Sequence, residues 1–288
     1  METKGRKLEF EVPSSAADFL RARKASEVSF QELGLPGLSA TYPNQYVVLT
    51  NDKYRTIARV NRAVTGVRVV SRDTRAGDIR PRHGNEEQLM ALDALLDDSI
   101  PVVVLTGRAG SGKTLLALAA AMWKYREQQY NSIILTKPMV QVGGQDLGIL
   151  PGEVGEKFTP YLGNYIGNIE QIVGNVPADL ARIGMEILPI QLIRGVSWNA
   201  RFVLADEIQT LSRDEILTLG TRVGAGTKLV LMGDLRQRDI DIAIKDTGLH
   251  GLTTSYRFNE SPLTAYVELL RVERSPVTEL FTEVFEAG

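Results

Sequence analysis

One run of eight residues, Gly107-Arg-Ala-Gly-Ser-Gly-Lys-Thr114, fits the pattern GxxxxGK[ST] at every fixed position. Its residue types suit the binding of a polyphosphate. Gly107, Gly110 and Gly112 let the backbone curl until its amides face phosphate oxygens. Arg108, Ala109, Ser111 and Leu115 complete the turn and enter the same expected binding set. Lys113 is placed to neutralise β- and γ-phosphates, and Thr114 to offer its hydroxyl to Mg²⁺. ATP and Mg²⁺ are therefore the expected ligands.

Such a loop needs acids on a neighbouring strand, one for the metal shell and one for an attacking water. Phe202-Val-Leu-Ala-Asp206-Glu207 supplies both after four apolar residues. Asp206 is assigned to the metal and Glu207 to the water; a helix cap is the plainer reading of the same pair. A second apolar run, Leu229-Val-Leu-Met, leads into Gly233-Asp234-Leu-Arg-Gln237, where Gln237 is placed to sense the γ-phosphate and Asp234 to shape the loop. Gln88, upstream of the glycine-rich run, is a candidate contact for the adenine edge, against the alternative of a solvated helix position.

The elements that must carry these residues are legible as a change of texture. Glu86 to Leu96 has leucines at helical spacing, and Val102-Val-Val-Leu105 is wholly apolar, as in a strand buried on both faces. Leu115 to Trp123 is a strong helix former. Ser132–Leu135, Ile190–Ile193, Phe202–Ala205 and Leu229–Met232 read as further buried strands alternating with helices. The expected fold is α/β: a P-loop NTPase (RecA-like) parallel sheet flanked by helices. A small β unit precedes it, from Tyr46–Thr50, Thr56–Val60 and Val67–Val70, and Asp73–Gly84 reads as a linker. The division expected is residues 1–82 and 83–288.

Composition limits the chemistry. With no cysteine, disulfides and thiolate metal sites are excluded, and His83 and His250 have no metal-ligand spacing. No apolar run approaches a membrane span, so no membrane partner is expected and a cytoplasmic setting follows by default. Nine basic residues fall between Lys53 and Arg82 (Lys53, Arg55, Arg59, Arg62, Arg68, Arg72, Arg75, Arg80, Arg82) in a chain of net charge −2. That stretch suits either a nucleic-acid backbone or a solvated face.

Taken in order, these segments resemble the PhoH family of ATPases, whose core is similar to the first motor domain of superfamily-one helicases. The resemblance runs from about Arg80 to Leu280. It includes Thr136-Lys-Pro138, Leu147-Gly-Ile-Leu-Pro-Gly152, Glu156-Lys157, Pro160-Tyr161, Arg194-Gly195, Asp206-Glu-Ile-Gln209, Thr221-Arg-Val-Gly224, Gly233-Asp234 with Gln237 and Asp239, Gly248-Leu249 and Glu273-Arg-Ser-Pro276. Isoleucine stands third in the acidic motif where the family usually has alanine, and Lys137 stands where arginine is common. The resemblance implies an ATPase acting on single-stranded RNA or DNA, a helicase or translocase type of motor, with Lys137 near the strand and Arg274 aimed at the γ-phosphate. Some relatives carry a PIN nuclease domain. The first 80 residues show no strand-end acids suited to two metals, so ribonuclease activity is not expected.

A superfamily-one motor closes two domains on one nucleotide, and the segment after Glu273-Arg-Ser is short. A head-to-tail ring would let a neighbour complete the site, and the resemblance implies a homohexamer. Arg222 is one candidate for the contribution in trans, with a structural ion pair as the alternative. Ser275–Phe285 carries Val277, Leu280, Phe281, Val284 and Phe285 on one helix face. Two other classes compete: a small-molecule kinase, which has no use for a water-activating acid, and a nucleotide-switched scaffold with slow hydrolysis.

Overall fold

Two sheets share one long core in the computed structural model, which describes residues 4–16, 20, 27–35, 38, 40–138, 163–176, 180–236 and 247–273. The N-terminal sheet contains β1 (Leu8–Glu11), β2 (Glu27–Ser29), β3 (Tyr46–Asn51), β4 (Tyr54–Val60) and β5 (Gly66–Val69) in the order β1-β3-β4-β5-β2, with the one-turn helix α1 (Phe30–Leu33) after β2. Only the β1–β3 pair is parallel. Alternation along β3 divides its side chains. Val47 and Leu49 pack with Ala58, Val60 and Phe30 in a small core of their own, whereas Tyr46 and Val48 join the main core.

The linking segment runs through an Ala76–Ile79 bridge into α2 (Glu86–Leu96), and then the second sheet begins. Its elements are β6 (Val102–Gly107), α3 (Lys113–Arg126), β7 (Ser132–Thr136), α4 (Gly163–Val173), β8 (Met185–Ile187), β9 (Arg201–Ala205), α5 (Arg213–Gly220), β10 (Lys228–Gly233), α6 (Gly248–Thr253), α7 (Tyr256–Glu260) and β11 (Thr264–Leu269). The strand order is β11-β6-β10-β9-β7-β8, parallel throughout. Both faces are covered, which is why the strands read as apolar runs rather than alternating ones. Val103 and Leu105 face the core formed with α2 and α3; Val104 faces the opposite core with Ile216, Leu219 and Leu249. Four alanines of α3 (Ala117, Ala119, Ala120, Ala121) are buried, and so small a surface lets the helix lie close on the sheet.

Two expectations change and a third is refined. Ile190–Ile193 is not a strand: Ile190–Leu192 forms a 3₁₀ turn after Pro189, and the edge strand is Met185–Ile187, where Ile133 and Leu135 of β7 pair with Met185 and Ile187. Thr264–Leu269 is not among the expected strands, yet β11 borders the P-loop strand along its whole length. The basic stretch is tied to the fold in part: Arg55, Arg59, Arg62, Arg68 and Arg72 bond within the chain, while seven of the nine basic residues stay exposed. Arg59 Nη1 lies 2.9 Å from Asp93 Oδ2, Arg68 Nη2 lies 2.8 Å from Asp93 Oδ1, and Arg59 also pairs with Asp97. Arg55 bonds Glu86 and Glu9, each at 2.7 Å. Arg62 donates to the carbonyl of Ser99, and Arg72 donates to that of Arg55. The guanidinium groups of the first sheet thus fasten it to α2 and to the turn that follows.

Candidate nucleotide site

The functional side chains meet at the C-terminal ends of β6, β9, β10 and β7, where ligands bind in open α/β sheets. β6 ends at Gly107, the loop turns through Gly110 (φ 80°) and Gly112 (φ 94°), and α3 starts at Lys113. Gly112 is required twice over: its φ is left-handed, and a Cβ there would lie 2.8 Å from the Gln88 amide nitrogen. At Gly107 a Cβ would lie 2.5 Å from the Leu269 carbonyl of β11.

The start of α3 differs from those of five other helices. Ser29, Asn85, Ser212, Thr247 and Ser255 each cap their helix with a side-chain oxygen. Gly112 has no side chain to do so, and no capping side chain therefore competes with an anion at the start of α3. Lys113 Nζ donates to the carbonyls of Gly107 (2.5 Å) and Arg108 (3.0 Å), which holds the ammonium inside the curl of the loop.

Behind the loop stand residues that the motif does not name. The Gln88 amide donates to Ser111 O (3.0 Å) and accepts from Arg82 N (2.8 Å), and the residue is buried. Both ends of that amide are therefore engaged within the chain, and it is not the solvated position weighed from sequence. The structure shows it bracing the P-loop. On the other side Glu273 N donates to Gly110 O (2.9 Å), and its carboxylate accepts from Asn85 (2.7 Å), the cap of α2.

The acids face Thr114. Its hydroxyl donates to Asp206 Oδ2 at 3.0 Å, and the other Asp206 oxygen accepts from Glu207 N at 3.0 Å. Burial, followed by the neighbouring Glu207 charge, raises the Asp206 pKa; Thr114 and Lys113 oppose the rise. The pKa of Tyr165, on α4, is pushed well up, first by burial and then by the charge of Asp206. Glu207 sits in the left-handed region (φ 56°, ψ 33°), a strained conformation for a residue with a Cβ. Gln209 holds it there: its Nε2 donates to Glu207 Oε2 (2.7 Å) while its Oε1 accepts from Asp234 N (3.2 Å). Asp234 in turn accepts from Arg236 N at 2.9 Å, so its carboxylate shapes the turn after β10.

These groups enclose a cleft of about 270 Å³ lined by Ala109, Gly110, Gly112, Lys113, Thr114 and Leu115 on one side and by Asn168, Asp206, Glu207, Gly233 and Asp234 on the other. Gly107 and Arg108 line a smaller neighbouring hollow with Asp234. Ser111 is buried, and its hydroxyl has no partner among the described residues. Gln237 and Arg274 lie outside the described residues, as do Leu147–Gly152, Glu156-Lys157, Pro160-Tyr161, Asp239 and Ser275–Phe285. Arg222 donates weakly to its neighbour Thr221 and pairs with no carboxylate among the described residues.

The donor set fits a Mg²⁺–nucleotide. No cage of three metal-binding side chains occurs among the described residues. One hydroxyl and one carboxylate beside a phosphate-binding loop is the partial shell that Mg²⁺ takes when phosphates and water complete it. Tyr165, Asn168 and Gln209 escaped the sequence reading. Gln209 was visible as the last residue of the acidic motif; Tyr165 lies about forty residues before Asp206, and no local pattern joins them.

Fold and cleft together define a P-loop nucleotide-binding protein of the α/β class. The model of the family described as PhoH-like protein matches residues 78–286, and the chain belongs to the PhoH family. It is 39% identical over 257 residues to protein PhoH2 of Bacillus subtilis, covering 85% of this chain and 57% of that one. To PhoH2 of Mycolicibacterium smegmatis it is 38% identical over 233 residues, 80% of this chain and 52% of the relative. The chain thus spans about half the length of the curated relatives it matches. Among solved structures, the Pif1 helicase of Candida albicans is similar at a TM-score of 0.36 and 16% identity, covering 70% of this chain and 43% of that chain. That likeness is too distant to add to the geometry. No helix among the described residues is long and apolar enough to cross a membrane.

Proposed function

We propose that the chain hydrolyses ATP and that single-stranded nucleic acid, RNA or DNA, stimulates the reaction. The observation that carries hydrolysis is the Glu207 carboxylate, held in a strained backbone conformation by Gln209 at the rim of the phosphate cleft. A binding scaffold has no need of an acid oriented in this way. When bound, Mg²⁺ would neutralise charge on the β- and γ-phosphates. The rest is work for the protein. Amides of the P-loop and Lys113 hold the phosphates, Thr114 and Asp206 hold the metal shell, and Glu207 orients the attacking water and accepts its proton.

The nucleic-acid part of the reading is supported by Thr136-Lys137-Pro138, which ends β7 beside β9. The Thr136 carbonyl accepts the Asp206 amide at 2.9 Å, so this segment is one hydrogen bond from the metal carboxylate. Arg55, Arg59 and Arg62 are spent on intramolecular bonds, and the strand is not assigned to them. A helicase- or translocase-type motor assembled as a homohexameric ring is the form in which a neighbour would complete the site.

The test is steady-state ATP hydrolysis with and without single-stranded RNA or DNA. Hydrolysis should fall roughly a hundredfold or more in Lys113→Ala and in Glu207→Gln, with nucleotide binding retained in the second. Turnover indifferent to both strands would remove the motor reading and leave a nucleotide-switched scaffold.

A further inference from the structure

We propose that a short hairpin between the N-terminal sheet and α2, with Trp123 of α3 beside it, is a contact surface for single-stranded nucleic acid. Arg75, Arg80 and Arg82 hold phosphates there, and the indole stacks on a base. The inference rests on the nucleic-acid part of the reading above and gives it a second contact, apart from Thr136-Lys137-Pro138. It begins from how the basic stretch divides. Arg55, Arg59 and Arg68 are each given a carboxylate. Arg75, Arg80 and Arg82 are exposed, and no carboxylate among the described residues pairs with them.

Backbone pairing fixes where these cations stand. Ala76 and Ile79 bond each other in both directions, at 3.0 and 3.1 Å, with Gly77 at φ 61° in the turn. Both paired side chains pack on the main core. Arg75 and Arg80, the next residues on the two arms, therefore fall on the solvent face and oppose each other. Opposed like charges cost stability. Asp73 and Asp78 are close in sequence, but neither carboxylate pairs with these arginines. An anion from outside the chain would relieve the repulsion. Trp123 sets the kind of anion. It is 37% exposed, and a Cβ on Gly77 would lie 3.5 Å from its ring, so the turn rests against the indole. Cations beside an exposed aromatic face suit a phosphate backbone that carries bases; a polyanion without bases has no use for the ring.

The hairpin also leads towards the nucleotide site. From Gly112 to Trp123, α3 covers about 16 Å at about 1.5 Å per residue. The segment from Gly77 to Arg82 spans a similar length when extended, at about 3.3 Å per residue. One end meets Trp123. At the other, Arg82 N donates to Gln88 Oε1 at 2.8 Å, and Gln88 Nε2 donates to Ser111 O of the P-loop at 3.0 Å. A strand lying along this segment is two hydrogen bonds from the phosphate loop.

The test is anisotropy binding of labelled single-stranded RNA and DNA oligonucleotides to the full chain across a salt series. In the Arg75→Ala/Arg80→Ala double variant affinity should fall. The slope of log K against log salt should become shallower by about 1.4, for two phosphate contacts at about 0.7 each. Its melting midpoint should be no lower than that of wild type, because the groups removed repel each other. Trp123→Ala should weaken binding roughly tenfold, and Trp123→Phe, which keeps a ring, should retain most of it. The oligonucleotide should quench Trp123 fluorescence, whereas the other tryptophan, Trp198, is buried. Unchanged affinity and slope in the double variant, with wild type still binding, overturns this surface alone. So does a loss of binding that tracks a lowered melting midpoint. Inorganic polyphosphate binding as well as the oligonucleotide, with no change in Trp123 fluorescence from either, also overturns it and marks a surface for other anions. A wild-type chain that neither binds a single strand nor hydrolyses ATP faster in its presence overturns the nucleic-acid reading as well.

Discussion

Two buried aspartates, one on α2 and one after β9, show how the same side chain serves opposite ends. Asp93 is 7% exposed and Asp206 is 6% exposed. Around Asp93 the chain places two guanidinium groups and a phenol, with Arg59 Nη1 at 2.9 Å, Arg68 Nη2 at 2.8 Å and Tyr46 OH at 2.8 Å. Asp97, one turn on, shares Arg59; although burial opposes it, the Ser99 and Arg59 bonds hold its pKa below the usual carboxylate range. Around Asp206 the chain places another acid, one hydroxyl and one amide, and the pKa rises. The first acid is matched by cations from its own chain. The second is left with excess negative potential, which a bound cation would relieve. Perturbation of this kind, in a cleft and beside a phosphate loop, marks a working site, whereas the balanced cluster marks a joint between two parts of the fold.

The sharpest way to break this contrast is to remove the acid from the balanced cluster. Asp93→Ala leaves two guanidinium groups facing each other with Arg59 buried, and should destabilise the protein by about 3–5 kcal/mol. Thermal melting would read this as a midpoint lower by roughly 10 °C, at about 2–4 °C per kcal/mol for a chain of this size. ATP hydrolysis per folded molecule should be unaffected at temperatures where the variant stays folded. A melting midpoint within a degree or two of wild type would show that the ion pairs only decorate a joint held by the apolar contacts of Tyr46, Val48 and Ile57 with α2.

How far each half of the contrast was legible in the sequence follows from the range of the interactions. The P-loop was legible because its chemistry is local: eight consecutive residues form the turn, and the strand and helix flanking it are strongly apolar. Asp206-Glu207 was legible because a buried parallel strand is a run of apolar residues and its end is where polarity returns. Arg55 with Glu86, 31 residues apart, and Arg59 with Asp93, 34 apart, leave no such trace. In the chain they read as one basic run, and their partners read as the polar side of a helix. β11 stayed hidden for a related reason: Thr264-Ala-Tyr-Val-Glu-Leu269 mixes polar and apolar residues, because it is the edge strand and part of its surface meets Lys4 and Arg6. Ile190–Ile193 misled because a short apolar run fits a strand or any buried turn equally well.

The next test works on the unbalanced acid. The folded-state pKa of Asp206 is raised, so the stability tied to its proton is present at low pH and is lost as pH rises through that pKa. At neutral pH the ionised carboxylate therefore weighs against the fold when no cation is bound. Asp206→Asn should raise the melting midpoint of the ligand-free chain by about 2–4 °C, on the order of 1 kcal/mol, while hydrolysis is lost. Adding Mg²⁺ with nucleotide should reverse the ranking, because binding stabilises only the chain that can hold the cation. A ligand-free Asn variant less stable than wild type would mean that Thr114 and the Glu207 amide already satisfy the carboxylate, and the contrast with Asp93 would disappear.

The smallest effect belongs to the exposed margin of the joint. Hydrogen bonding to Arg55 first, and to Lys7 next, lowers the Glu86 pKa from 4.5 to about 2 against a desolvation penalty. A depressed carboxylate pKa contributes stability that is fully present above the unfolded value and is lost as pH falls through the folded one. The wild type should therefore lose this increment between about pH 4.5 and pH 2, and Glu86→Gln should already lack it at pH 6. Because Arg55 is 45% exposed, screening reduces the contribution to roughly 1 kcal/mol or less. Urea denaturation of both proteins across that pH range should give curves that differ at pH 6 and converge near pH 2. Curves that stay parallel would place the value of Glu86 in its position in the first turn of α2, where even a neutral side chain can cap, and would leave the joint between the N-terminal sheet and the helix bracing the P-loop to Asp93, Asp97 and Glu87.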